Sequence, residues 1–285
     1  MRSSTSADFV VQSKAAGVAL AAGLGGEKRT VRVCGPLGRE QAVDCTYGVI
    51  GDLAGFAAAT YLRGIAFAQV PTTLLAAVDS SVGGKTAINL RAGKNQLGCF
   101  HQPAAVICDT DTFSTLPERE VRSGSAEIIK YGVIGDEGFF ESLGEEPISA
   151  RYEAVVECCV SMKRDFVARD EFDRGDRRYL NFGHTIGHAI ESCAGGELLH
   201  GECVALGMLP MIESKALQKR VRGVYRRLGL PTRTAYDKEK VLAEMLHDKK
   251  AQDGQITIIK VPGLGCWRAE TIPVEGLRPL LGMED

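Results

Sequence analysis

Apolar and polar positions change their spacing near residue 117. Before it, short apolar runs alternate with turns. Thr30–Cys34 reads as a short strand, and Gly48-Val49-Ile50-Gly51-Asp52 is a glycine-rich turn feeding an apolar helix from Ala54 to Leu62. Ala66–Val70 reads as a buried strand stopped by Pro71, and Ala104–Asp109 as another ending on an acid. Strand, helix and strand at this spacing predict an α/β sheet. After Pro117 the period becomes helical, at Glu118–Gly132, Glu137–Leu143, Ala150–Asp170, Asn181–Ala194, Glu202–Gln218 and Lys238–His247, with Gln255–Val261 alternating like a terminal strand. Two parts follow, 1–117 and 118–285, with no Pro-rich or Ser-rich linker between them. Residues 1–46 are atypical: Ala-rich, then Gly-rich, then basic, with one strand candidate.

Composition narrows the function classes. The 285 residues are 45% apolar and 25% charged, which excludes a disordered or low-complexity chain. Thirty-four basic against thirty-six acidic residues give a net charge of −2, so bulk charge recruits neither nucleic acid nor an anionic membrane. No apolar run reaches the roughly 18–20 residues of a membrane span, and the opening Met-Arg-Ser-Ser lacks the build of a signal peptide. The cytoplasm is the expected compartment. Nine cysteines, an odd number without a CxxC pair, predict reduced thiols and argue against a cysteine zinc site.

Three of five histidines fall in Asn181-Phe182-Gly183-His184-Thr185-Ile186-Gly187-His188 and Leu199-His200-Gly201-Glu202. His184 and His188 lie one helical turn apart on one face, a spacing that suits a divalent metal or a proton relay. His200 follows the Gly195-Gly196 turn and can fold back toward the pair. A catalytic site needs about three N or O ligands, and Glu127 in Ser125-Ala126-Glu127-Ile128-Ile129-Lys130 is the candidate carboxylate. Residue type alone favours an exposed Glu127–Lys130 pair at i,i+3, while the apolar residues around it are compatible with partial burial. Thr185 stands where the HExxH arrangement of zinc hydrolases has its glutamate, which disfavours that class. Val82-Gly83-Gly84-Lys85-Thr86 resembles the tail of a phosphate loop, but Asp79 stands where the Walker pattern needs glycine. Gly93-Lys94-Asn95 is a second cationic turn, and Lys163, Arg177, Lys249 and Lys250 are isolated cations that residue type alone places in solvent.

Taken in order, Gly48–Phe56, Tyr61-Leu62-Arg63-Gly64-Ile65, Val70-Pro71-Thr72-Thr73, Val78–Thr86, Gly93-Lys94-Asn95, Phe100-His101-Gln102-Pro103, Thr115–Glu120, Ala126–Gly132, Leu180–His188, His200-Gly201-Glu202 and Asp248-Lys249-Lys250 resemble the 3-dehydroquinate synthase family. The resemblance implies a partial Rossmann-like N-terminal domain that holds NAD, an all-helical metal-binding C-terminal domain, and an active site between them. Glu127, His184 and His200 match its metal ligands, for zinc with cobalt as a substitute, and His188 matches a residue near the substrate. Asp79, Lys85, Asn95, Lys130, Lys163, Arg177, Asn181 and one of Lys249 or Lys250 match substrate contacts, of which Lys85, Lys130, Lys163 and Asn181 join His188 as catalytic positions. Arg63 matches a residue reaching the phosphate from a neighbouring subunit, implying a homodimer. Gly48, Gly51, Asp52, Thr72, Thr73, Asp79, Lys85, Lys94 and Thr115 match positions around the cofactor. The implied reaction converts 3-deoxy-D-arabino-heptulosonate 7-phosphate to 3-dehydroquinate and phosphate, with NAD oxidising and then re-reducing the same molecule. Upstream of Gly48 the match stops. Two of the family's three glycines there are Thr46 and Tyr47, and a tyrosine obstructs backbone approach to a pyrophosphate. That departure predicts a truncated or frame-disrupted opening, with a divergent one as the alternative, and in either case less secure NAD binding. The alternatives are another sugar-phosphate cyclase, or an inactive synthase that binds metal but not NAD.

Overall fold

A computed structural model of the chain describes residues 8–12, 29–34, 40–45, 50–90, 93–249 and 254–283. Thr46, Tyr47, Gly48 and Lys250, and the side chain of Lys249, lie outside that description. In chain order the elements are β1 (Asp8–Gln12), β2 (Arg29–Cys34), β3 (Glu40–Cys45), α1 (Ile50–Thr60), β4 (Ala68–Gln69), β5 (Lys85–Leu90), β6 (Gly93–Phe100), β7 (Ala105–Asp109), α2 (Glu118–Ile134) and α3 (Glu137–Ser142). They continue as α4 (Tyr152–Arg169), α5 (His184–Ala194), α6 (His200–Met208), α7 (Lys215–Leu228), α8 (Lys238–Lys249), β8 (Gln255–Gly263) and β9 (Cys266–Pro273). None of the described helices is long and apolar enough to cross a membrane.

The chain forms two compact units, Met1–Leu116 with Arg151–Phe172, and Pro117–Ala150 with Asp173–Asp285. Helix α4, which its sequence groups with the later helices, belongs to the first unit. In that unit β7 is the middle strand of a parallel sheet ordered β1-β7-β4, with Phe9 opposite Val106 and Ala68 opposite Ala105. Val106 and Cys108 are buried, as the alternation of a half-covered strand requires. The opening 46 residues hold β1 and the β2–β3 hairpin, two more strands than their sequence announces. Antiparallel β5 and β6, with Lys85 opposite Phe100 and an irregularity between Ile88 and Leu90, are also absent from the sequence reading, because that break spoils the period of two. After α1, Leu62, Arg63 and Gly64 have φ of 49°, 67° and 117°, a left-handed reversal that turns the chain toward β4 and leaves Arg63 exposed.

The second unit is built around α2. Every residue from Ser123 to Ile134 is buried, so α2 is a central helix covered all round, and its polar residues are enclosed with the rest. The single helix expected over Glu202–Gln218 is two, α6 and α7. Pro210 sits in a short 3-10 turn, Ile212 is extended, and the Ser214 hydroxyl caps α7 by accepting from Leu217 N at 3.3 Å. The expectation of an all-helical second part is corrected by the β8–β9 hairpin, which pairs Ile256 with Ile272 and buries Ile256, Ile258, Ile259 and Val261. Trp267 on β9 ties the hairpin to α2 by donating Nε1–H to Ile134 O at 3.0 Å, and its ring lies against Tyr179, tilted by 33° with centroids 3.6 Å apart.

Candidate metal centre

Backbone proximity brings the four predicted metal-site residues together. A Cβ at Gly201 on α6 would fall 1.9 Å from Ser123 O on α2, and one at Gly207 would fall 2.1 Å from Gly183 O ahead of α5. Only glycine permits helices to lie so close. The Gly201 amide donates to Ser123 Oγ at 3.0 Å, a buried bond that fixes the α6 start against α2. His200, the residue before Gly201, is thereby set against Glu127, one turn beyond Ser123. His184 and His188 project from one stripe of α5, with ring centroids 5.2 Å apart, and each lies 5.5 Å from the His200 ring. Ligand nitrogens of the three all fall within 4.8 Å of one another.

Glu127 forms the floor of this group. Its side chain is 0% exposed and pairs with Lys130, itself 1% exposed, which corrects the expectation of a solvated i,i+3 pair. Burying such a pair is a poor way to stabilise a fold, since desolvation cancels most of the attraction. Its persistence here points to chemistry. Glu127 Oε1 faces His184 Nε2 at 3.3 Å and His200 Nε2 at 3.5 Å, and neither of its oxygens makes a well-formed hydrogen bond. The far ring nitrogens are engaged: His184 Nδ1 donates to Phe182 O at 3.1 Å and His200 Nδ1 donates to Glu191 Oε2 at 2.9 Å. Two imidazole Nε2 atoms and a buried carboxylate oxygen thus converge on one point, a donor set suited to a divalent cation that displaces their protons. Exposure grades outward from Glu127 through His184 at 12% and His200 at 24% to His188, the exposed member.

The electrostatics agree. Burial alone would raise the Glu127 carboxyl, but Lys130 first, then His184 and His200, hold it well below the usual range. For His200 burial opposes protonation, yet the carboxylates of Glu127 and Glu191 on its two sides lift it to about 9. The same negative field favours a metal cation. Lys163 and Arg177, expected in solvent, are 6% and 2% exposed. Asn181 is exposed just ahead of α5, after the 3-10 turn Asp176–Asn181 that carries Arg177. The sequence reading did not single out Glu191, although His184, His188 and Glu191 stand at i, i+4 and i+7 on α5 and so share a face.

The first unit carries a separate charged cluster. Lys163 on α4 donates to Asp79 O at 2.6 Å and pairs with Asp79 Oδ1 at 3.0 Å. Asp52, in the first turn of α1 beside Gly51, feels both, together with Lys94. Burial, the largest influence, pushes the Asp52 carboxyl up to about 6; Lys163 opposes this, Asp79 adds to it and Lys94 opposes it. Lys85, Lys94 and Asn95 are exposed on the β5–β6 hairpin, Thr115 is exposed at the end of a 3-10 turn, and Thr73 caps its own turn by accepting from Ala76 N at 3.2 Å, next to half-buried Thr72.

A group whose folded pKa lies above its unfolded value of 3.8 stabilises the fold when protonated and loses that contribution as pH rises through 6. Asp52→Asn is therefore expected to stabilise the chain at pH 8 by about 1–2 kcal/mol, less than the full linkage, because the side chain is partly exposed and the α1 N-terminus favours a negative charge there. The gain falls to about half at pH 5 and vanishes below 3.8. Thermal unfolding of both proteins across that range checks it, and a gain that grows toward acid pH would contradict the assignment.

Comparisons with known proteins place the chain as a whole. The family description "3-dehydroquinate synthase N-terminal" matches residues 37–123, and "3-dehydroquinate synthase C-terminal" matches residues 124–251. The 3-dehydroquinate synthase of Acidithiobacillus ferrooxidans is 49% identical over 243 residues, covering 78% of this chain and 67% of that protein. The Enterococcus faecalis 3-dehydroquinate synthase is 43% identical over 251 residues, covering 83% and 70%. The chain thus spans about two thirds of the length of the curated relatives it matches. Among solved structures, 2-deoxy-scyllo-inosose synthase complexed with carbaglucose-6-phosphate, NAD+ and Co2+ superposes with a TM-score of 0.72 at 26% identity, over 81% of this chain and 70% of that one. The 2-epi-5-epi-valiolone synthase ValA from Streptomyces hygroscopicus subsp. jinggangensis, with NAD+ and Zn2+ bound, gives 0.69 at 27%, over 80% and 69%. With both of its halves matched in order, and with identities of 43–49% to synthases of two distant bacteria, the chain belongs to the 3-dehydroquinate synthase family.

Proposed function

We propose that this chain is a 3-dehydroquinate synthase, converting 3-deoxy-D-arabino-heptulosonate 7-phosphate to 3-dehydroquinate and phosphate with NAD and a divalent metal, zinc or cobalt. The observation that carries the reading is the meeting of His184 Nε2 and His200 Nε2 on the buried Glu127 Oε1. A divalent metal held by these residues would supply Lewis-acid polarisation of a substrate oxygen, and NAD a reversible hydride acceptor. Glu127, His184 and His200 are the metal ligands in this reading, and His188, on the open side of the group, holds or moves a proton at its ring.

The substrate carries a carboxylate and a phosphate, and fixed cations suit both. In the second unit, Lys130 and Arg177 are buried cations with little freedom to reorganise, the condition under which charge stabilisation is strongest. In the first, Asp79 fixes Lys163, while Lys85 and Asn95 stand on the β5–β6 hairpin. Gly51, Asp52, Thr72, Thr73, Asp79, Lys85, Lys94 and Thr115 are the described residues assigned to the cofactor. Arg63, exposed on its left-handed turn, is assigned to the phosphate of a second subunit in a homodimer. Other sugar-phosphate cyclases are the weaker reading: the structures named above are 26–27% identical, against 43–49% for the synthases.

Phosphate release from the heptulosonate phosphate, measured on the purified full chain with and without added NAD and zinc, tests the proposal. Release that requires both is the expected result. A folded, metal-loaded chain that releases none would overturn it.

A further inference from the structure

We propose that Glu191 is a positioning residue for the metal centre: its carboxylate takes the Nδ1 proton of His200 and locks that ring so that Nε2 faces Glu127. The inference rests on the reading of His200 as a ligand. The geometry behind it is specific. His200 stands between two carboxylates, with Nδ1 2.9 Å from Glu191 Oε2 and Nε2 3.5 Å from Glu127 Oε1. A carboxylate only accepts, so the closer partner Glu191 keeps a proton on Nδ1, and Nε2 is the nitrogen left to give up its proton to a cation beside Glu127. Turning the ring over would bring a C–H to Glu191 and forfeit a charge-assisted bond.

The two ligand histidines are held differently. His184 is tied at Nδ1 to a backbone carbonyl, Phe182 O, which no side-chain substitution removes. His200 opens α6, where the Glu202 carboxylate caps the backbone by accepting from Leu199 N at 2.8 Å, and the hydrogen bond at its own Nδ1 goes to a side chain on another helix, Glu191. Glu191 is therefore the point at which one substitution frees a ligand without deleting it. Its charge, one shell out, also raises the basicity of the imidazole toward a cation.

Cobalt titration of the chelator-treated full chain, followed by the visible d–d absorption, reads out affinity and ligand geometry without turnover. Glu191→Ala is expected to weaken Co2+ binding about 10–100-fold and to alter the band shape. Glu191→Gln, whose amide oxygen accepts the same proton, is expected to return to within about fivefold of wild type. A residue that merely bridges α5 and α6 would lower the unfolding temperature in both variants and leave the Co2+ spectrum unchanged. Wild-type affinity and spectrum in Glu191→Ala overturn the proposal while leaving His200 a ligand. A wild-type chain that binds no Co2+ overturns both readings. If Glu191→Ala does not fold, histidine 15N spectra of the zinc-loaded wild-type chain decide: coordination of His200 through Nε2 with a retained Nδ1 proton is expected, and coordination through Nδ1 refutes the assignment.

Discussion

His200→Ala is expected to abolish stoichiometric zinc or cobalt in the full chain and to reduce phosphate release to background. The substitution removes one of three converging donors and leaves Glu127 Oε1 facing His184 alone. Outer-shell partners cost 10–100-fold in metal affinity when lost, and a direct ligand is expected to cost more than about 100-fold. The fold should survive. The His200 side chain is 24% exposed, alanine suits a first helical turn, and Glu127 keeps its ion pair with Lys130. A stability change within about 1 kcal/mol separates loss of metal from loss of structure. Metal analysis after chelation and reconstitution is the check, and normal metal content in the variant would remove His200 from the ligand set.

Much of this centre is legible in the chain because it is local. The i,i+4 pair His184–His188 needs only helical periodicity to be seen, and His200 only a glycine turn in between. What periodicity does not reveal is how deep Glu127 sits. A Glu–Lys pair at i,i+3 has the same spacing on a solvated face as in a core, and the difference comes from α6 crossing α2 at Gly201, a contact between residues 78 apart. The same long-range packing hides the burial of Lys163, which depends on Asp79, 84 residues away. Strands fare worse than helices for a related reason. β1 is specified by pairing with β7 across nearly the whole first unit, and β5–β6 carries an irregularity that breaks the alternation. The helical parts keep their boundaries to within a few residues, except over Glu202–Gln218, where Pro210 divides α6 from α7 and α7 runs on to Leu228. Glu191 lies in plain view on the histidine stripe, but a glutamate there takes on meaning only once His200 folds back to it.

His188→Ala is expected to keep a full complement of metal and to lower the rate of phosphate release by about 10²–10⁴-fold, the range for removing a general acid–base group. The expectation turns on how the three histidines differ. His184 and His200 each have the far ring nitrogen engaged and Nε2 turned to the same buried oxygen. His188 is exposed, with its ring 5.5 Å from that of His200 and perpendicular to that of His184. A ring in that position can reach a bound molecule from the open side while the other two hold the cation. The opposite result is equally informative, because nitrogens of all three rings fall within 4.8 Å of one another and a His184–His188–His200 site is sterically allowed. If His188→Ala loses its metal, the helical pair binds the cation directly. The fixed negative charge of Glu127 would then act beneath the three rings, against Lys130, with no bond to the metal.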